Sequence, residues 1–298
     1  MANADKNTGS VLSRRQFMRI AAGLASGTIL GGGLSTLAHS GDRKVSSTAS
    51  RARVIRHVHT NERKICLSFD DMWSEFYALR ICRDYHRLNI PLTLFPVGLA
   101  VRNNLVRPHE GYENMYARIR DMGHEFGCHL HTHRDIRDFS LQQLIDEEME
   151  PSLQVMRRAL GSDFKPIGIR PPYGVVTDAL KELSVKYGFP LILWGLDSQD
   201  SICTSNCKDD SPDDCATTNE IYSSIWIQDL YGALCPKSSC EDRCVDVILK
   251  SYETYMRPGT IILHHVLKAS YLAIKPTVAF LRDWNLQPVR LSELLTYG

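Results

Sequence analysis

Residues 53–298 predict an α/β fold of parallel strands joined by helical crossovers, and three observations carry that expectation. Strand-like apolar runs alternate with helix-like runs from Arg53 onward. Chemically reactive residues recur where the strand-like runs end, as they do at the C-terminal face of such folds. About 250 residues suffice for one large core, the size at which an α/β barrel is a single domain.

The chain opens on an address. Ser13-Arg14-Arg15-Gln16-Phe17-Met18-Arg19 precedes a weakly apolar, glycine-containing run from Ile20 to Ala38, and this resembles a twin-arginine export signal over residues 1–40. A membrane-spanning helix is the alternative, but glycines at 23, 27, 31, 32 and 33 each cost about 1 kcal/mol of helix propensity relative to Ala. Ala38 and Ser40 suit cleavage before Gly41. The expectation is an exported chain, periplasmic or extracellular, with no stable membrane span after removal. Losing Asp5, Lys6, Arg14, Arg15 and Arg19 turns the formal net charge from +1 to −2, and nucleic acid, which needs a basic face, is not an expected partner. Residues 41–52 are small, polar and basic, and read as a flexible leader.

Lys64–Phe69 reads as a buried strand ending at Asp70-Asp71, followed by a helix from Phe76 to Leu88. Ile90–Val97 is the next apolar run, with Gly98 at its end. Met115–Met122 has a helical pattern, and Glu125–Cys128 leads into His129-Leu130-His131-Thr132-His133. Ser140 and Gln143 form a capping-box signal for a helix to Leu160, with a kink at Pro151 and a stop at Gly161. Pro166–Arg170 is short and apolar, Thr177 caps a helix to Tyr187, and Leu191–Leu196 and Thr260–Val266 read as strands.

Three histidines within five residues are hard to explain as packing. His129 and His133 are four apart, so a helical turn there would put both imidazoles on one face, a spacing that suits a shared metal ion, with His131 pointing elsewhere. Read alone, Asp70-Asp71 is a turn or helix cap, and Pro171-Pro172-Tyr173-Gly174 is a turn. Their order along the chain says more. Ser68-Phe69-Asp70-Asp71, His129-xxx-His133, Arg170-Pro171-Pro172-Tyr173-Gly174, Asp197-Ser198-Gln199-Asp200 and Leu263-His264-His265 follow the five motifs of NodB-type polysaccharide deacetylases, carbohydrate esterase family four, which the chain resembles over roughly residues 60–270. The resemblance implies an irregular (β/α) barrel, commonly of seven strands, and metal-dependent removal of acetyl groups, most often N-acetyl, from acetylated carbohydrate. That is a hydrolase acting on carbon–nitrogen bonds other than peptide bonds.

The residue types suit that chemistry. Amide hydrolysis needs an activated water, a polarised carbonyl and a proton for the leaving amine. Asp71, His129 and His133 are the expected ligands of a divalent metal, and two imidazoles with one carboxylate suit zinc first. Asp70 is left free as the base, and Arg170 can pair with it and orient it. The resemblance assigns the backbone N–H of Tyr173 to the oxyanion hole and Asp200, rather than Asp197, to orienting the histidine that acts as acid. Along a strand at 260–266, Ile261, Leu263 and His265 share one side and His264 faces the other. The family pattern places its histidine two residues after Leu263, which selects His265.

Departures from the pattern bear on substrate. Met72-Trp73 follows the paired aspartates where many relatives have Gly-Pro, and Ser201 stands where the fourth motif usually has Trp, a wall of the acetyl pocket. Six cysteines, Cys203, Cys207, Cys215, Cys235, Cys240 and Cys244, crowd into an insertion at 201–246. In an exported protein they most simply form three disulfides, with fifteen possible pairings, and a second zinc site is the alternative. Cys128 reads as a buried free thiol. A catalytically weak glycan-binding relative, or a hydrolase of O-acetyl or non-sugar amide substrates, would use the same residues.

Overall fold

The computed structural model describes residues 51–206 and 240–298. Within them the strands are β1 (Val54–Ile55), β2 (Lys64–Asp71), β3 (Thr93–Pro96), β4 (Glu125–Phe126), β5 (Leu191–Ile192), β6 (Leu196–Asp197), β7 (Ile261–His265) and β8 (Gln287–Pro288). β2 is the centre: β3 and β7 flank it in parallel, and β8 joins it at Lys64 and Ile65. The order β4-β3-β2-β7-β6 makes the main sheet, and β1 pairs in parallel with β5. Single-residue bridges, Cys128 with Ile169 and Ile169 with Leu191, carry the ladder from the β4 side to β5. The strands are parallel and the ring is irregular, as expected of the (β/α) barrel. Pro166, Pro171 and Pro190 lack ladder donors, which limits the 166–170 segment to those two bridges at Ile169.

Helices α1 (Glu75–Arg87), α2 (Gly98–Val106), α3 (Met115–Asp121), α4 (141–160), α5 (Asp178–Tyr187), α6 (Asp200–Asn206), α7 (Cys240–Tyr255), α8 (Lys268–Leu272) and α9 (Ile274–Asp283) connect them. Local chemistry sets their starts. Ser74 and Thr177 accept the N–H of Tyr77 and Leu180, and Ser140 with Gln143 forms the full capping box, each cap contributing about 1 kcal/mol. α4 departs from the expected kinked helix: an α turn (Leu141–Gln143) opens into a π-helical stretch (Leu144–Met149) before the α-helical Glu150–Leu160. The wider π turn lies just before Pro151, whose ring cannot sit against the carbonyl four residues back.

The Leu191–Leu196 run also differs from expectation, being broken at Leu193–Gly195. It changes partners there: Leu193 N–H donates to Ile55, whereas Gly195 N–H donates to Ile261. Gly195 permits the crossing, since a Cβ would lie 3.0 Å from the Arg56 carbonyl oxygen.

Side chains alternate along β2. Ile65, Leu67 and Phe69 join the core shared with Ile81, Leu94, Leu153 and Ile248, whereas Cys66 packs with Phe95, Ile192, Ile261 and Val289 in a separate cluster. Each such Leu, Ile or Phe contributes about 1.5–3 kcal/mol by burial. Ser68 and Asp70 share the side of Cys66, so the polar residues begin one layer above that second cluster. No helix among the described residues is long and apolar enough to cross a membrane.

Candidate metal and catalytic centre

Strand β2 ends in two carboxylates that alternation alone would send to opposite faces. The backbone prevents that. Asp71 has φ 73° and Met72 φ 61°, and Met72 N–H donates to the Asp70 carbonyl at 3.0 Å. This is a γ-turn of the rare, strained hand. Asp70 Oδ1 accepts Arg170 Nη1 at 2.7 Å in a wholly buried pair. Arg170 is fixed from every side: Nη1 also reaches Ser68 Oγ at 2.9 Å, Nε and Nη2 reach the carbonyls of Ile192 and Leu193, and its guanidinium lies 3.9 Å over the Phe95 ring. A lysine could supply only part of this fork.

His129 and His133 do converge on Asp71, but not by helix geometry. Residues 129–133 form a loop beyond β4, with Leu130 and His133 in the left-handed region at φ 59° and 61°. His129 Nδ1 contacts the Arg170 carbonyl at 2.7 Å, which leaves Nε2 facing Asp71 Oδ1 at 3.4 Å, while His133 Nε2 lies 3.2 Å from the same oxygen. One ligand atom from each of the three residues falls within 4.8 Å of the others. Asp71 Oδ1 is buried and makes no hydrogen bond among the described residues. An acceptor oxygen facing imidazole nitrogens, with no hydrogen bond made, calls for a cation between them, and the donor set fits a divalent metal. Electrostatics agree. Burial pushes the Asp71 pKa up, but the two imidazoles overcome it and hold the carboxyl well below the usual range. Burial likewise opposes protonation of His129, yet Asp70 and Asp71 raise it. The site attracts positive charge.

β7 delivers the adjacent histidines to different places, as strand alternation requires. His265 pairs in register with Asp70. Its Nδ1 lies 2.9 Å from Asp200 Oδ1, and its N–H donates to Asp200 Oδ2 at 2.6 Å. Asp200 is fully buried at the start of α6 and also accepts Ser270 Oγ at 2.6 Å. Burial alone would lower the His265 pKa, but Asp200, with smaller contributions from Asp70 and Asp71, raises it to about 9. His264 faces the helices instead: it stacks on Phe69 at 4.8 Å and its Nε2 bonds Tyr252 Oη on α7. Burial pushes its pKa down to about 4.

Tyr173 stands at the rim with φ 58°, 58% exposed, its ring edge-on to His133 at 4.8 Å. Gly174 follows at φ 68°, and a Cβ there would meet Trp194 at 2.9 Å. His131 stands outside the cluster of Asp71, His129 and His133, as expected, with its Nδ1 beside Gly98. Cys128 is a buried free thiol 3.3 Å from Ser152 Oγ, and Cys66 and Cys82 are also free and buried. Cys203 on α6 is disulfide-bonded to Cys244 on α7. Cys207, Cys215 and Cys235, and residues 1–40, read above as an export signal, lie outside the described residues. Sequence reasoning passed over Ser68, Ser270 and Glu148, each buried with a hydrogen bond to the site or its loops. Glu148 carried a signal: it lies four residues after Leu144, on the apolar face of α4, where a lone carboxylate demands partners.

Residues 57–192 match the family model described as polysaccharide deacetylase. The peptidoglycan-N-acetylglucosamine deacetylase PgdA of Listeria monocytogenes is 25% identical over 167 residues, 56% of this chain and 33% of that protein. Chitin deacetylase 1 of Saccharomyces cerevisiae is 26% identical over 199 residues, 63% of this chain and 60% of that one. The chain thus spans one third to three fifths of these two relatives. Among solved structures, a CE4 family pseudoenzyme from Bacillus anthracis superposes with a TM-score of 0.61 at 19% identity, covering 82% of this chain and 69% of that one. The Bc1960 peptidoglycan N-acetylglucosamine deacetylase gives 0.61 at 17% identity, covering 83% and 94%. The segment that this family model matches holds Asp70, Asp71, His129, His133 and Arg170, and the chain has the NodB-type α/β fold of these solved structures.

Proposed function

We propose that this chain is an exported, metal-dependent hydrolase that removes acetyl groups, N-acetyl before O-acetyl, from a polysaccharide or oligosaccharide. One observation carries the reading: the adjacent carboxylates of β2 differ in their nearest partners, Asp70 bound to Arg170 at 2.7 Å with His129 Nε2 at 3.8 Å, and Asp71 facing His129 and His133 at 3.4 and 3.2 Å. Asp71, His129 and His133 would hold the ion, zinc by donor type. When bound, such an ion polarises the acetyl carbonyl and makes a neighbouring water more acidic. Asp70 takes the proton of the attacking water, and Arg170 holds that carboxylate in place. His265, kept protonated by Asp200, gives a proton to the leaving nitrogen. The Tyr173 N–H, by its family position, donates to the developing oxyanion. Export is supported by the arginine pair at Arg14 and Arg15 and by the Cys203–Cys244 disulfide, which suits an oxidising compartment.

A glycan-binding role without turnover is the second reading, favoured by the likeness to a structure described as a pseudoenzyme. Filled positions at 70, 71, 129, 133, 170, 200 and 265 favour the enzyme. Acetate release from N-acetylglucosamine oligomers, peptidoglycan and acetylated xylan decides between them. Turnover should vanish on chelation and return with zinc, and full turnover in a demonstrably metal-free sample would overturn the mechanism.

A further inference from the structure

One buried carboxylate outside the reacting set grips the loop that carries both histidine ligands. Glu148, with no solvent exposure, lies on the π-helical stretch of α4. Its Oε2 accepts the N–H groups of His131 and Thr132 at 2.8 and 2.9 Å. Its Oε1 accepts Thr132 Oγ1 and, at 3.3 Å, Arg134 Nη2. One helical turn on, the buried Ser152 donates to the Leu130 carbonyl at 3.1 Å. α4 therefore holds both ends of the peptide unit between Leu130 and His131, midway between His129 and His133. The loop needs such a grip. Leu130 and His133 both adopt left-handed backbone, which L side chains disfavour unless the surroundings fix it. A carboxylate buried against so many donors is satisfied only while the loop keeps this shape.

We propose that Glu148 is a positioning residue for the metal centre: it sets the loop so that His129 and His133 stand at ligand distance from Asp71 before an ion arrives. The inference rests on the metal reading above. A glutamine at 148 keeps the volume but offers one acceptor oxygen where two are used, and its NH₂ confronts a donor. Outer residues of this kind typically change metal affinity by about 10- to 100-fold.

The test is Zn²⁺ affinity by chelator competition on folded protein, with thermal melts and amide exchange at His131 and Thr132 recorded on the metal-free form. Glu148→Gln should weaken Zn²⁺ binding by about 10- to 100-fold and speed exchange of those two amides. Glu147→Gln, on the same turn with a half-exposed side chain that pairs with Arg134 and touches no backbone of the loop, should leave affinity within about twofold. If Glu148→Gln does not fold, Thr132→Val removes a single contact to the same carboxylate and should still weaken binding severalfold. Wild-type affinity in the folded variants would overturn the proposal. Failure of the wild-type chain to bind Zn²⁺ would instead overturn the metal reading beneath it.

Discussion

Asp200→Asn gives a pH-dependent test of the acid assignment. Asp200 is the largest cause raising His265 to about 9, whereas burial by itself would hold that imidazole below its ordinary value near 6.5. A general acid must be protonated, so turnover in the wild type should fall only as pH rises through about 9. With Asn the fall should begin at or below about pH 6.5. For a variant value of about 6.5, the protonated fraction at about pH 8 is about 0.9 for the wild type and about 0.03 for the variant, a loss of about 30-fold, whereas at about pH 6 the loss is under about twofold; a lower value enlarges both losses. Loss of orientation adds a factor common to all pH values. Stability carries the same signature. A folded pKa raised above the unfolded one contributes stability that is fully present below about 6.5 and lost as pH rises through about 9, so the variant's melting temperature should change less over that window. The assay is the pH profile of acetate release with bound metal checked at each pH. An alkaline limb unmoved by Asp200→Asn would refute the pairing as the source of the acid.

Other substitutions separate roles among neighbours. Asp71→Asn should lower metal content, whereas Asp70→Asn should keep the metal and lose about 10²- to 10⁴-fold in turnover; equal metal loss in both would mean the division of labour is wrong. His264→Ala should cost about 2–4 kcal/mol of stability, from lost packing on Phe69 and a stranded Tyr252 hydroxyl, with turnover per folded molecule retained. Denaturant melts and acetate release together check it, and an inactive but stable variant would contradict the register of β7. Breaking the Cys203–Cys244 link by the paired Ser substitutions removes a closure across 41 residues, worth about 4 kcal/mol in the chain-entropy account. Because α6 begins with Asp200, the alkaline limb of turnover should also move to lower pH in that variant. Non-reducing peptide mapping should recover the Cys203–Cys244 pair, and free thiols at both positions would contradict it.

The sequence by itself determined the parallel α/β class, the helix starts and the split between His264 and His265. Those features depend on short-range rules: apolar periodicity, side-chain oxygens that cap N–H groups, and the two-residue repeat of a strand. It also placed Asp70, Asp71, His129, Arg170, Asp200 and His265 at strand ends or just beyond, where the fold gathers them. The tertiary structure decided how they meet. Spacing suggested a helical turn for His129 and His133, but the pair converges through a left-handed loop held by Gly98 and Leu99 N–H groups and by Glu148 and Ser152, partners as far along the chain as Gly98 is from Leu130. Asp70 and Asp71 face one site only because a strained γ-turn overrides strand alternation. The strand expected at 191–196 broke because its two halves find different neighbours, and α4 widened into a π turn ahead of Pro151. In each case the local preference is weak, of order 1 kcal/mol per residue, and many buried contacts outweigh it. A short window of sequence holds that preference but not the distant groups that overrule it.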